Sequence, residues 1–284
     1  MPAPRHNGGV DQPADPGVAT PPDTTSVLPR STDVVVVGAG IVGLATARAV
    51  QLAAPGTDVV VLEAEDRVAA HQSSHNSGVV HAGIYYRPGS AKAELCQSGR
   101  AELLSWCDRH RVPWERRGKV VVATRSDELE PLGVLAERAT ANGVEVERLG
   151  PAGLAALEPH ASGLAALHVP ATAVIDFGAV CRQLAHDIGR RGGVIVVRCP
   201  VVRIERTGSG LSVHTRRGPI SARRVANCAG LASDRVAAAA GDRPGAAIVA
   251  FRGEYTSWWP GDDTWCGGSS IRCRTLGSRS WGCT

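Results

Sequence analysis

The stretch from Ser73 to Tyr86, SSHNSGVVHAGIYY, combines side chains that exchange protons with side chains that pack. Its two histidines, His75 and His81, have ordinary pKa values near neutrality, so either could accept a proton from a bound molecule. The segment is too polar for a buried strand and too apolar for an ordinary loop. If it is extended, Val79 and His81 share one face. This mixed surface is typical of a segment with a ligand on one side and the protein core on the other.

A nucleotide-binding unit is predicted just before this stretch. Residues 33–63 read DVVVVGAGIVGLATARAVQLAAPGTDVVVLE. Val34 to Val37 predict a buried parallel strand, and the helix after the glycines should end near the Pro55-Gly56 breaker. A second strand from Val59 to Leu62 leads to Glu63. The order of strand, glycine turn, helix, strand and terminal acid is that of a dinucleotide-binding fold.

Each part of this motif has a mechanical reason. Gly38 permits the tight turn, Gly40 lets the backbone approach a pyrophosphate, and Gly43 allows close contact between helix and strand. The N–H groups at the start of the helix attract the phosphates. Glu63 can accept hydrogen bonds from ribose hydroxyls and would repel a 2′-phosphate, which disfavours NADP. The motif alone does not choose between NAD and FAD.

Composition places the chain among globular proteins that do not bind nucleic acid. It has 284 residues, 43% hydrophobic and 20% charged, and a formal net charge of +4 with scattered basic residues. No run of 18 apolar residues predicts a transmembrane helix. The eight cysteines form no Cys-x-x-Cys pair and no zinc pattern, which favours reduced, buried thiols and a cytoplasmic location. No metal site is expected.

Four blocks carry a resemblance to a known family. They are HQSSHNSGVVHAGIYYRPGSAKAELCQSG (71–99), VIDFGAV (174–180), VANCAGLASDRVA (225–237) and FRGEY (251–255). With the nucleotide motif, they make residues 33–255 similar to the D-amino-acid-oxidase-like FAD-dependent oxidoreductases. Within that group the chain most resembles the L-2-hydroxyglutarate dehydrogenases/oxidases. Glycine oxidases and glycerol-3-phosphate dehydrogenases share only the general form of the first block.

The resemblance implies FAD as the cofactor and extends the nucleotide site beyond the glycine motif. In such flavoproteins the chain leaves the FAD domain and later returns to it, here through residues 193–204 and 223–230. The returning strand should end beside the pyrophosphate, with Val201 near the adenine. The FAD-binding residues implied are Gly38, Gly40, Ile41, Val42, Gly43, Glu63, Ala64, Ser73, Ser74, His75, Asn76, Ser77, Gly78, Val201, Cys228, Ala229 and Gly230.

The resemblance also implies oxidation of an L-2-hydroxy acid to a 2-oxo acid, with hydride transfer to flavin N5 and proton transfer to a base. His81 is slightly favoured as that base, with His75 as the alternative. A dicarboxylate substrate needs cations, and Arg252 in FRGEY is the best candidate for a bidentate partner. The remaining substrate-binding candidates are Lys92, Tyr86 and Tyr255, with Tyr85 as a further hydroxyl.

Other functions stay open at this point. The same fold could serve an amino-acid oxidase or a glycerol-3-phosphate dehydrogenase, or the chain could be a non-catalytic nucleotide-binding remnant. The electron acceptor could be oxygen or a quinone, and a quinone would require peripheral contact with a membrane.

The predicted fold class is α/β, with a Rossmann-type FAD-binding domain interleaved with an α+β, mixed-sheet substrate domain. The expected order begins with a disordered Pro-rich tail at 1–32, which carries no signal peptide. The further segments are 33–100 (FAD-binding), 101–180 (substrate), 181–245 (returning FAD-binding part), 246–255 (start of a second substrate part) and 256–284 (aberrant, disordered).

The last segment departs from the pattern of the rest. Residues 256–284 hold 4 of the 6 tryptophans and 3 of the 8 cysteines, and they show neither alternation nor a helical period. A natural disordered tail, or disulfide or metal binding through Cys266, Cys273 and Cys283, would be alternatives. The favoured interpretation is a shift of reading frame after about Tyr255. It predicts a C-terminally incomplete flavin site, weak FAD binding and little turnover.

Overall fold

The computed structural model describes residues 27–243 and 245–251, together with the backbone strand at 269–272. Six helices lie in this part of the chain. They are α1 Ile41–Ala53, α2 Ala91–His110, α3 Leu129–Ala141, α4 Pro151–Leu157, α5 Phe177–Arg190 and α6 Ser233–Ala239. Short 3-10 turns occupy Ser126–Glu128 and Gly230–Ala232. Within the described residues, none of these helices is both long and apolar enough to cross a membrane.

A six-stranded sheet forms the nucleotide-binding part, in the order β10-β11-β12-β1-β2-β9. Strands β12, β1, β2 and β9 are parallel, while β10 and β11 are antiparallel additions. Its strands are β1 Ser31–Val37, β2 Val59–Leu62, β9 Val194–Val196, β10 Val201–Thr207, β11 Gly210–Thr215 and β12 Gly218–Asn227. The two predicted strands of the nucleotide motif and the predicted return through residues 193–204 and 223–230 are therefore confirmed.

Two smaller sheets form the other part of the molecule. One has the order β13-β5-β7-β6 and the other the order β3-β8-β4. Their strands are β3 Val79–Val80, β4 Trp114–Arg116, β5 Lys119–Ala123, β6 Glu147–Leu149, β7 Ala165–His168, β8 Ala173–Ile175 and β13 Ser269–Arg272. The mixed pairing agrees with the α+β substrate domain expected from the sequence.

Two predicted domain boundaries fall inside helices. The boundary at 100/101 lies within α2, and the boundary at 180/181 lies within α5. Helix α5 packs on α1, where Arg48 Nε donates to Asp187 Oδ2 at 2.6 Å. Because α5 shares a buried core with α1 and the strands of the large sheet, the whole helix belongs to the nucleotide-binding part.

One strand lies within 256–284. Ser269–Arg272 forms β13, which pairs in parallel with β5 from Lys119 to Val122. The open edge of β5 supplies a row of backbone partners, and backbone pairing does not depend on side-chain alternation. Most of the segment, including its three cysteines, lies outside the described residues.

Candidate functional site

Two glycines of the nucleotide turn are required by close backbone contacts. Gly38 has φ +102°, and a Cβ there would lie 2.5 Å from the carbonyl oxygen of Cys228. A Cβ on Gly43 would collide with the carbonyl oxygen of Gly38. The returning strand β12 therefore packs directly against the turn, held by a hydrogen bond from Cys228 N to Val37 O at 2.9 Å.

The N-terminus of α1 is open to an anion. Gly40 is the N-cap and offers no side chain, and the first turn contains no acidic residue. The side chain of Val42 in that turn is 65% exposed. One helix donor is already used, because Ile41 N donates to Ser73 Oγ at 2.9 Å. A glycine-capped, exposed helix start fits the pyrophosphate of a dinucleotide.

Glu63 holds the glycine turn in place. Its buried carboxylate accepts from Ala39 N at 2.7 Å through Oε2 and from Glu65 N at 2.9 Å through Oε1. A carboxylate offers about four lone-pair sites, so capacity for ribose hydroxyls remains. The sequence suggested only the ribose role, and the structure adds the clamp on Ala39. Ala64 lies between Glu63 and Glu65, which are joined by the hydrogen bond from Glu65 N to Glu63 Oε1.

The segment before β10 is bonded to the backbone of Glu63 and Glu65. Cys199 N donates to Glu63 O at 2.8 Å, and Arg198 N donates to Glu65 O at 2.7 Å. Val201 begins β10 two residues later and is half-buried. This arrangement brings Val201 to the ribose side of the site, and its predicted contact with adenine stays a prediction.

The end of β12 turns sharply beside Gly38. Asn227 stabilises this turn, since its Oδ1 accepts from Ala229 N at 3.3 Å and its Nδ2 donates to Ser233 O at 2.7 Å. Gly230 then takes φ +56°. Cys228, Ala229 and Gly230 are thus placed next to the nucleotide turn, whereas the supporting Asn227 was not singled out from the sequence.

Residues 71–78 fold back on themselves. His75 is exposed and its Nδ1 hydrogen-bonds to His71 O at 2.9 Å. Asn76 closes the turn, because its Nδ2 donates to Ser73 O and its Oδ1 accepts from Gly78 N. The predicted FAD contacts of this turn, Ser73, Ser74, His75, Asn76, Ser77 and Gly78, lie together in it, with Ser73 Oγ at the start of α1.

His81 has a different environment from His75. It follows β3, is half-buried, and its Nδ1 is buried with no hydrogen-bond partner among the described residues. Burial, and then the charge of Lys119, lower the pKa of His81 below its usual value. The unpartnered, buried Nδ1 distinguishes His81 from the exposed His75, whose Nδ1 is bonded to His71 O, and the choice of His81 as the base stays a prediction.

Lys119, at the start of β5, was missed from the sequence. Its side chain is only 3% exposed, and burial lowers its pKa to about 8. Its Nζ lies 4.4 Å from the ring centroid of Tyr85. The available signal was a lysine opening the apolar strand KVVVA, in a chain with only two lysines.

The predicted substrate-binding residues are only partly brought together. Lys92 is exposed on the first turn of α2, after the N-cap Ser90. Tyr86 is half-buried, and its carbonyl oxygen accepts from Asn142 Nδ2 at 2.9 Å. Arg252 and Tyr255 lie outside the described residues. In the described ranges, no group of His, Cys, Asp or Glu is arranged to hold a metal ion.

The comparisons identify the family. The family model for FAD dependent oxidoreductase (DAO) matches residues 33–275. The chain belongs to the DAO family of FAD-dependent oxidoreductases. This membership confirms FAD as the expected cofactor, which fits the glycine turn and the open helix start. The match continues beyond Tyr255, and the predicted shift of reading frame stays a prediction.

Named relatives carry the narrower resemblance. L-2-hydroxyglutarate dehydrogenase, mitochondrial, of Caenorhabditis elegans is 41% identical over 245 residues, covering 84% of this chain and 56% of that protein. L-2-hydroxyglutarate dehydrogenase of Escherichia coli strain K12 is 37% identical over 224 residues, covering 78% and 53%. This DAO-family chain spans about half the length of the curated relatives it matches, and the predicted resemblance is confirmed.

Solved structures confirm the fold. The FAD-bound L-alpha-glycerophosphate oxidase of Mycoplasma pneumoniae matches with a TM-score of 0.68 and 26% identity, over 74% of this chain and 57% of that one. Glycine oxidase of Geobacillus kaustophilus matches with a TM-score of 0.69 and 21% identity, over 75% and 59%. The likeness to glycine oxidase shows the DAO fold alone.

Proposed function

We propose that this chain carries the FAD-binding part and part of the substrate site of an oxidoreductase that converts L-2-hydroxyglutarate to 2-oxoglutarate. The observation that carries the proposal is His81, a neutral and half-buried imidazole whose Nδ1 has no partner in the described residues. The names of the 37–41% identical relatives support the choice of substrate.

FAD, when bound, supplies the acceptor for the hydride that leaves the substrate Cα. The residues of this chain provide the rest. The α1 N-terminus and the turn at Gly38 hold the pyrophosphate, and Glu63 binds the ribose. His81 accepts the hydroxyl proton as the carbonyl double bond forms, so that the substrate loses one hydride and one proton. Electrons pass on to oxygen or a quinone.

The experiment is anaerobic reduction of the purified, FAD-loaded protein. L-2-hydroxyglutarate should bleach the flavin absorbance, while glycerol 3-phosphate and L-amino acids should not. His81→Asn should slow bleaching by about 10²-fold or more, the usual size of a general-base contribution. The matched variant is His75→Asn, which removes an exposed imidazole and should retain most of the rate.

The alternatives make different predictions. Faster bleaching by glycerol 3-phosphate or an amino acid would reassign the substrate. Retention of FAD without bleaching by any of these would support the non-catalytic remnant and overturn the proposal. Equal loss in both histidine variants would remove His81 from its proposed role.

A further inference from the structure

Polar side chains converge where the start of β5 approaches the segment after β3. Val80 pairs with Ala173 in antiparallel register, which places the next pair, His81 and Thr172, opposite each other. Gly118 N donates to Thr172 O at 2.9 Å and brings Lys119 to the same place. Arg100 reaches in from α2, where its Nη1 donates to Ala171 O at 3.1 Å. His81, Arg100, Lys119 and Thr172 are called the cationic cluster below.

The cationic cluster contains two cations, Lys119 and Arg100, and several buried polar atoms that lack a partner among the described residues. Thr172 is fully buried and its Oγ1 has no partner, and the same holds for the buried Nε of Arg100 and Nδ1 of His81, among the described residues. Lys119 is 3% exposed. Within those residues, no carboxylate forms an ion pair with Lys119 or Arg100. Buried cations without a counter-charge are costly, so an arrangement of this kind suits an anionic ligand.

The groups around Lys119 do not supply the missing negative charge. Cys96 on α2 donates its thiol to His81 O at 3.4 Å, and burial raises its pKa, so it remains a neutral thiol. His168 on the adjacent strand β7 pairs instead with Glu147, at 3.4 Å between Nδ1 and Oε2. Arg100 Nη2 reaches only the neutral amide of Gln97, at 3.5 Å.

We propose that the cationic cluster binds one carboxylate of the hydroxy-acid substrate, with Lys119 as the principal cation. This assignment rests on the proposed function. It places the reacting hydroxyl near His81, since both side chains belong to the same cluster. The ring of Tyr85, a residue that is 42% exposed, lies 4.4 Å from Nζ of Lys119, so this side of the cluster borders the protein surface.

The test is calorimetric binding of glutarate, a dicarboxylate that has no hydroxyl to oxidise, to the FAD-loaded full chain at pH 7. Lys119→Met should weaken binding by roughly 10-fold to 100-fold, as expected for a lost charge-assisted hydrogen bond. Arg100→Met should weaken it by roughly 10-fold. The matched control is Arg109→Met on the same helix, because Arg109 is exposed and its side chain hydrogen-bonds to Ser105 Oγ.

A pH series on the wild-type protein tests the same site without substitution. Affinity for glutarate should fall above pH 8, because Lys119 has a pKa of about 8 and loses its charge. Lys119→Arg, which keeps the charge, should abolish that fall. The pH series on the wild-type protein tests the site even if Lys119→Met does not fold.

Several results would overturn the proposal. They are no glutarate binding by the wild type, unchanged affinity in both Lys119→Met and Arg100→Met, or affinity that stays constant from pH 7 to pH 9.5. Because glutarate is not oxidised, a Lys119-dependent affinity would stand even if L-2-hydroxyglutarate failed to bleach the flavin. Failure of the proposed function is therefore distinguishable from failure of this site.

Discussion

Within the part of the chain that the structure describes, buried charged groups are paired at the adenosine end of the candidate site and unpaired in the cationic cluster. Glu63 is buried, and both of its oxygens accept backbone hydrogen bonds. Lys119 is equally buried, but no carboxylate among the described residues pairs with it. The buried carboxylate of the first region is already hydrogen-bonded within the protein. The unpaired charge of the second region lowers the stability of the ligand-free protein. Under the proposed function, cofactor binding would rely on groups already paired within the protein, and substrate binding on buried charges that cost stability until the substrate binds.

The largest effect is expected at the nucleotide turn. Gly43→Ala places a Cβ against the carbonyl oxygen of Gly38, so we expect loss of FAD binding and a fall in the free energy of unfolding of about 3 kcal/mol. Flavin fluorescence and urea unfolding measure the two. Gly133→Ala in α3 is the matched control, because its Cβ meets nothing within 4 Å, and it should stabilise by about 0.5–1 kcal/mol. Full FAD occupancy in Gly43→Ala would contradict the claim that FAD binding depends on the close packing of the nucleotide turn.

At the cationic cluster, a substitution is expected to increase the free energy of unfolding. Lys119→Met should raise the free energy of unfolding of the ligand-free protein by about 2 kcal/mol at pH 7, because it removes a buried, unpaired charge. The folded pKa of about 8 lies below the ordinary 10.5, so the unfolded state binds more protons in that window. Wild-type stability should therefore gain a favourable contribution as pH rises from 8 to 10.5.

Urea unfolding across that pH range measures this contribution. Lys119→Met should lack it, whereas Lys92→Met, which changes an exposed lysine, should keep it and alter stability by less than about 0.5 kcal/mol. A destabilised Lys119→Met protein would show that Lys119 is satisfied in the folded chain and would erase the contrast between the two regions.

A smaller loss is expected at Glu63. Glu63→Gln keeps the shape of the side chain but turns an amide group toward one of the two N–H donors, which should cost about 1–2 kcal/mol of stability. FAD affinity should fall by roughly tenfold. Glu65→Gln, at an exposed carboxylate that pairs with His71, should change stability by less than about 0.5 kcal/mol.

The two regions also differ in how far the sequence predicted them. The nucleotide turn was predicted in detail because its glycines, strands and Glu63 act through local geometry within about 30 residues. Lys119 was missed because its burial and its approach to the ring of Tyr85 arise only in the folded chain. The boundary placed inside α5 and the missed strand β13 have the same origin, since both elements are defined by what they pack or pair against.

The parallel pairing of β1 with β12 has a consequence for how the chain is made. Val37 pairs with Asn227, 190 positions later, so the central strand of the large sheet acquires its second neighbour only after those 190 residues have been synthesised. At translation rates of about 5–20 residues per second, β1 waits roughly 10–40 s with that edge unpaired. Contacts of such long sequence separation slow folding. The nucleotide turn is therefore completed only long after its own residues have left the ribosome.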